Sequence, residues 1–232
     1  MTLIGLSSGS TPLSSAKELA GEILNLGGEV VDLRLKKGHR WEVDGLQPFN
    51  TANLKIAFLG INTVLGDVSW TKSRIVDELG IYTGYPIKVF ANKGCMLRES
   101  KEITKLQLHL LAELAGGIKN VLVETHYGFS EVDELLHLHN DLGISILLDI
   151  LGYYQISSNP CLDVKRLSNC VTGVQVKGFE WNLVHPDRHI PLAESDLIRT
   201  KEILDELSPK TITIETKSSS YAEDFKILQT IL

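Results

Sequence analysis

Positive charge is in short supply in this chain of 232 residues, where 23 Lys and Arg stand against 29 Asp and Glu for a formal net charge of -6. Neutralising nucleic-acid phosphates takes a clustered basic surface. Here Lys and Arg are scattered, so no nucleic-acid partner is expected. Cysteine is scarce too. Cys95, Cys161 and Cys170 form an odd set without a CxxC pair or zinc-finger spacing, which excludes a disulfide framework and a thiolate metal site and fits reduced thiols in a cytoplasmic setting. No eighteen apolar residues run together, and the opening "MTLIGLSSGS" carries no charged leader. Neither a membrane span nor a signal peptide is therefore expected. The dinucleotide fingerprint GxGxxG and the Walker loop are missing, and no low-complexity or Pro-rich linker divides the chain. A single domain over 1–232 is the expectation, and 43% hydrophobic residues supply its core.

What is present is an alternation. Short β-rich runs fall at 3–7, 30–34, 55–61, 87–90, 120–124, 145–149, 171–176 and 211–215. Helical patterns at 14–26, 70–79, 100–115, 130–142 and 194–207, with a short turn at 163–167, lie between them. The segment "HRWEVDGLQPFNTAN" shows no clear helix. "SSAKELAGEILNLGG" opens with Ser15 and Glu18 in capping positions and stops at Gly27 and Gly28, and "SEVDELLHLHNDLG" runs from Ser130 to a terminal Gly143. Strands that are almost wholly apolar suit a parallel sheet covered on both faces. Eight of them at this spacing imply closure into a single eight-stranded parallel β/α (TIM) barrel, with an open doubly wound sheet as the alternative.

A barrel of this kind gathers the C-terminal ends of its strands around one mouth, where active sites lie. The fifth strand ends in Glu124, the sixth in Asp149 and the eighth in Glu215, while Gln175 and Lys177 close the seventh. Like charges brought together in a low dielectric repel unless a cation holds them. A divalent ion is the expected cation, and oxygen ligation favours Mn or Mg over Zn or Co.

The segments "VLVETH" (121–126), "ILLDILG" (146–152), "GVQVKGF" (173–179) with "HIPLAESDL" (189–197), and "ITIETK" (212–217) resemble the xylose isomerase-like TIM-barrel superfamily of sugar isomerases and epimerases. "VVDLRLKKGHRWE" is similar in position to that family's second strand and loop. The resemblance implies that Glu124, Asp149, Gln175 and Glu215 are metal ligands, with Gln175 standing where the family usually has histidine. It further implies that Glu124 and Glu215 are the catalytic pair, removing and returning a proton beside a carbonyl on opposite faces of an enediolate. Gly152 stands where many of the family's epimerases read histidine. The expected function is a metal-dependent sugar or sugar-phosphate isomerase or epimerase; a dehydratase on the same enediolate and a non-catalytic ligand-binding barrel stay open as alternatives.

Cations at the same mouth suggest how a sugar or sugar phosphate is held. Arg34, Lys177 and Lys217 lie at strand ends, and Arg188 and His189 in the loop after the seventh strand, all suited to charge-assisted bonds with phosphate or carboxylate. His126 is a candidate substrate donor near neutral pH. His39, with Trp41, is a candidate to close over a sugar ring. Lys93 is expected instead to balance a nearby carboxylate.

Overall fold

The computed structural model describes residues 2–181, 189–217 and 219–232. In chain order its elements are β1 (Leu3–Ser7), α1 (Ala16–Asn25), β2 (Val30–Arg34), α2 (Trp41–Asp44), α3 (Gln47–Thr51), β3 (Lys55–Leu65), α4 (Lys72–Leu79), β4 (Ile87–Ala91), α5 (Arg98–Ala115) and β5 (Val121–Glu124). They continue with α6 (Val132–Leu142), β6 (Ser145–Asp149), α7 (Ile150–Ile156), α8 (Pro160–Leu167), β7 (Val171–Val176), α9 (Leu197–Leu207), β8 (Thr211–Ile214) and α10 (Tyr221–Ile231). The eight strands pair in parallel in sequence order and close when β1 pairs with β8, Leu3 opposite Thr211 and Leu6 opposite Ile214. The barrel expected from the apolar runs is therefore the observed fold.

Side chains alternate across a strand, and this alternation builds the interior in layers. Val30, Ala57, Phe58, Leu122 and Leu147 form an apolar cluster of their own, with Leu3 packed against it. Two residues further along three of those strands come Asp32, Glu124 and Asp149, all buried. The same period that points Val30, Leu122 and Leu147 inward thus stacks a layer of carboxylates above them. The larger core lies outside the sheet, where helix residues such as Leu19, Ile23, Leu111, Leu135 and Leu204 pack against it.

The capping signals hold at α1, where Ser15 and Glu18 make a reciprocal capping box. At α6 the cap is Glu131, boxed with Glu134. Ser130 instead donates its hydroxyl to the carbonyls of Ala91 and Asn92, 2.9 and 3.0 Å away, which ties the loop to the end of β4. The stretch without a clear helical pattern forms the short α2 and α3. Trp41 is wholly buried there, edge-on to Phe49 at 6.3 Å, which corrects the expectation that it covers a sugar ring. Two helices, α7 and α10, were not signalled by the pattern. α7 starts directly at the end of β6, with Asp149 as its N-cap, so strand and helix share one apolar run. Among the described residues no helix is long and apolar enough to cross a membrane.

Candidate active site

The mouth at the C-terminal ends of the strands encloses a cavity of about 250 Å³, just under the range of about 300–1,000 Å³ common for ligand pockets. Glu124, Asp149, Glu215, Arg34, Lys177, His126, His189 and Lys217 line it, together with Lys37, Lys88, Gly152 and Gln155. Strand ends far apart in sequence are brought together as anticipated. Gln175 and His39 are not part of this lining, and Arg188 lies outside the described residues.

Each carboxylate already has a cation. Lys88 Nζ, from β4, lies 2.5 Å from Glu124 Oε2, with 7% and 3% of the two side chains exposed. The same ammonium sits 3.9 Å from the centroid of the Phe90 ring, a cation–π contact that fixes it further. Lys177 pairs with Asp149 and lies 3.5 Å from Glu215 Oε2. Arg34 pairs with Glu215 Oε1. The other oxygen of Asp149 caps α7, accepting from the Gly152 amide at 2.8 Å, so both of its oxygens are engaged.

In the layer of Glu124 and Asp149, Asp32 accepts hydrogen bonds from Ser7 Oγ at 2.6 Å, Thr213 Oγ1 at 2.5 Å and Gln175 Nε2 at 3.2 Å. Gln175 therefore serves Asp32 through its amide nitrogen, and its buried oxygen has no hydrogen-bond partner. Asp32 and Lys88 are the site residues that attention to strand ends alone passes over. Both were legible, since a charge inside an apolar run of a doubly covered sheet has only the barrel interior to face.

Burial and charge set the ionisation states. Burial raises the Glu124 carboxyl, but the Lys88 ammonium and then the Arg34 guanidinium more than reverse it, leaving the group below the usual carboxylate range. Glu215 is driven down further, burial being overcome by Lys177 and Arg34. At Asp149 burial prevails over Lys177, and its carboxyl stays above the usual value. His189 is pushed down to about 4, by burial first and then by the charge of Lys177, so it is neutral at pH 7. His126 packs edge-on to Phe90 and Phe129, with ring centroids 5.2 and 5.3 Å away, and its Nδ1 donates to the Tyr127 carbonyl at 2.7 Å. His39 sits beside Ser8, Nδ1 to Oγ 3.3 Å.

These residues do not fit a divalent ion. A dication about 4 Å from one ammonium is opposed by ~8 kcal/mol at an effective dielectric of 20, and here two ammonium groups and a guanidinium stand among the three carboxylates. Among the described residues no group of three or more His, Cys, Asp or Glu is arranged to hold a metal ion. Glu124 Oε2 and Glu215 Oε2 accept no aligned hydrogen bond, yet each has an ammonium within 3.5 Å. In this structure the carboxylates of the expected set, Glu124, Asp149 and Glu215, stand in ion pairs, and Gln175 is turned to Asp32.

Gly152 has its own reason for being glycine. A Cβ there would lie 2.2 Å from the Thr125 carbonyl oxygen and 3.1 Å from the His126 Cα. Histidine is excluded at this position by the close approach of two backbones. Gly152→Ala is expected to lose about 1–3 kcal/mol of stability in denaturant unfolding; an unchanged midpoint would contradict the packing.

Asp32 gives the mouth a pH signature. Burial, opposed by the Ser7 and Thr213 hydroxyls, pushes its carboxyl up to about 6 from 3.8. Because this folded value is raised, the native state binds the extra proton between about pH 4 and 6, and stability falls as pH rises through that window. His189, with its value lowered, has the opposite slope from pH 6.5 down to about 4. Subtracting Asp32→Asn from the parent cancels the histidine. The difference in unfolding free energy is expected to move in the parent's favour by about 2–3 kcal/mol between pH 7.5 and pH 4, and a flat difference would show that Asp32 is not the group responsible.

In a closed parallel barrel, a small polar cavity of convergent ionisable groups at the mouth is where a small-molecule site is looked for first. No protein-family model matches the sequence, and no curated protein matches it. Solved structures do match, and what they share with this chain is the closed parallel β/α barrel. A D-tagatose 3-epimerase-like protein superposes with a TM-score of 0.72 at 17% identity over 99% of this chain and 97% of that one. The probable 3-DHS dehydratase AsbF of Bacillus anthracis gives 0.69 at 16% over 99% of both chains. An IOLI protein with a binding zinc atom gives 0.69 at 13% over 99% and 96%.

Proposed function

We propose that the protein is an isomerase or epimerase of a small sugar or sugar phosphate, moving a proton at a carbon next to a carbonyl through an enediolate. The observation that carries this reading is the charge of the mouth, where five cations (Arg34, Lys37, Lys88, Lys177 and Lys217) and three carboxylates (Glu124, Asp149 and Glu215) line one small cavity. A surplus of cations over a layer of bases suits an anionic, polyhydroxylated ligand. Among the described residues Gln155 Nε2 and His189 Nδ1 are buried without hydrogen-bond partners, and both are suited to substrate hydroxyls.

The resting site holds its bases in check. Glu215 is ionised and clasped by Arg34 and Lys177, which makes it a weak base. Substrate oxygens that take over those donors return basicity to it, so proton abstraction is tied to occupancy. One glutamate then takes the proton from carbon, the C–H electron pair moves toward the carbonyl oxygen, and cationic donors stabilise the charge that develops there. Return of a proton to the opposite face falls to the other glutamate, once it has taken one up from solvent. The test is incubation with ketoses and ketose phosphates in D₂O, read by NMR. Deuterium is expected at the carbon next to the carbonyl with the parent and is lost with Glu215→Gln; no exchange with any of them would overturn the reading.

A further inference from the structure

Resting on that reading of the site, we infer that the mouth works without a divalent ion and that the Lys177 ammonium polarises the substrate carbonyl. The two buried lysines differ in how they are held. Lys88 is committed to Glu124 at 2.5 Å and to the Phe90 ring at 3.9 Å. Lys177 is shared between carboxylates from two strands, Asp149 of β6 and Glu215 just beyond β8, and it lines the cavity. An ammonium has three protons to donate. Two carboxylate partners leave the third for a carbonyl oxygen.

Lys177 also reaches both chemical ends of the proposed step. It touches Glu215, which takes the proton, and it stands beside the cavity in which the carbonyl oxygen gains charge as the C–H pair moves over. Donation from Nζ to that oxygen loosens its hold on Glu215 as the base is needed. The electron pair from carbon ends on the carbonyl oxygen, the proton ends on the carboxylate, and no oxidant or further reactant enters. The anchors of the lysine argue for an acid that donates a hydrogen bond: with two carboxylates against it the nitrogen is held as an ammonium, and an imine with substrate has no place in the step.

The experiment begins with chelator-stripped parent protein titrated with Mn²⁺ and with Zn²⁺, followed by calorimetry and by thermal unfolding. The parent is expected to take up no stoichiometric ion at about 1 mM and to keep its melting temperature. Lys177→Met leaves Asp149 and Glu215 without their ammonium, so an oxygen-rich donor set is opened, and Mn²⁺ is expected to raise its melting temperature by several degrees. Where exchange activity is found, EDTA leaves the parent's rate unchanged, Lys177→Met lowers it at least a hundredfold, and Lys177→Arg, which keeps a donor cation, restores part of it. Tight binding of one equivalent of ion by the parent, or loss of its activity in EDTA, overturns the inference, and so does trapping of a substrate adduct on Lys177 by borohydride. A Lys177→Met protein that fails to fold leaves the parent titration and the EDTA measurement to decide. A parent that ignores metal and exchanges no ketose sinks the proposed function while the ion-free mouth stands.

Discussion

Lys88→Met is expected to cost about 3–5 kcal/mol of unfolding free energy, because it strands the buried Glu124 carboxylate without its cation. The methionine fills much of the same volume, so the loss comes from charge. Pairing across 2.5 Å with both side chains nearly inaccessible is the geometry in which removal of one partner is felt most. The double variant Lys88→Met/Glu124→Leu should regain most of that stability, since no charge is left without a partner and the interior below it is already apolar. Denaturant unfolding of the four proteins in a double-mutant cycle measures the coupling. A Lys88→Met protein within about 1 kcal/mol of the parent would mean that water or another cation reaches Glu124. The single variant's deficit should also shrink on acidification: with the ammonium gone, burial is opposed by Arg34 without Lys88, the Glu124 carboxyl rises from its place in the parent, and protonating it costs the folded state less.

Glu215→Gln is expected to lower proton exchange about 10²–10⁴-fold, the range usual for loss of a general base. The amide keeps the shape and can accept one hydrogen bond from Arg34, but it cannot take a proton from carbon. Stability and catalysis therefore separate: circular dichroism and unfolding report whether Arg34 and Lys177 tolerate the neutral partner, and isotope exchange reports the base. If the variant exchanges deuterium at the parent's rate with its fold intact, Glu215 is a partner for cations and nothing more. If exchange falls while substrate protection against unfolding persists, the carboxylate acts in the chemistry and the cations do the holding.

The fold was legible because two periods were written plainly in the chain. Runs such as "SILLD" and "VVDLR" match β6 and β2 residue for residue, since a strand covered on both faces has little room for polar side chains. α7 was illegible because it follows β6 with no turn residue between them, Asp149 serving as the last residue of one and the cap of the other. The carboxylates of the site were legible from strand ends. How they are paired was harder to see: Lys88 lies inside a strand, where its charge marks it as facing the interior, but the position of a charge along a strand does not tell which neighbour it meets across the barrel. Lys93, by contrast, pairs with Glu131 at 2.7 Å as its loop position suggested.

The closure of the barrel also orders events in time. β1 meets β8 in the sheet, and Arg34 at the end of β2 finds its carboxylate partner only at Glu215, so pairing spans 181 positions of chain. A growing polypeptide therefore carries Arg34 through 181 further residues before its counterpart is made. Until then the charged layer is incomplete, its interior carboxylates and lysines are solvated, and β1 presents an open edge. The half-made chain is thus open and wet at the very place where the finished molecule is shut.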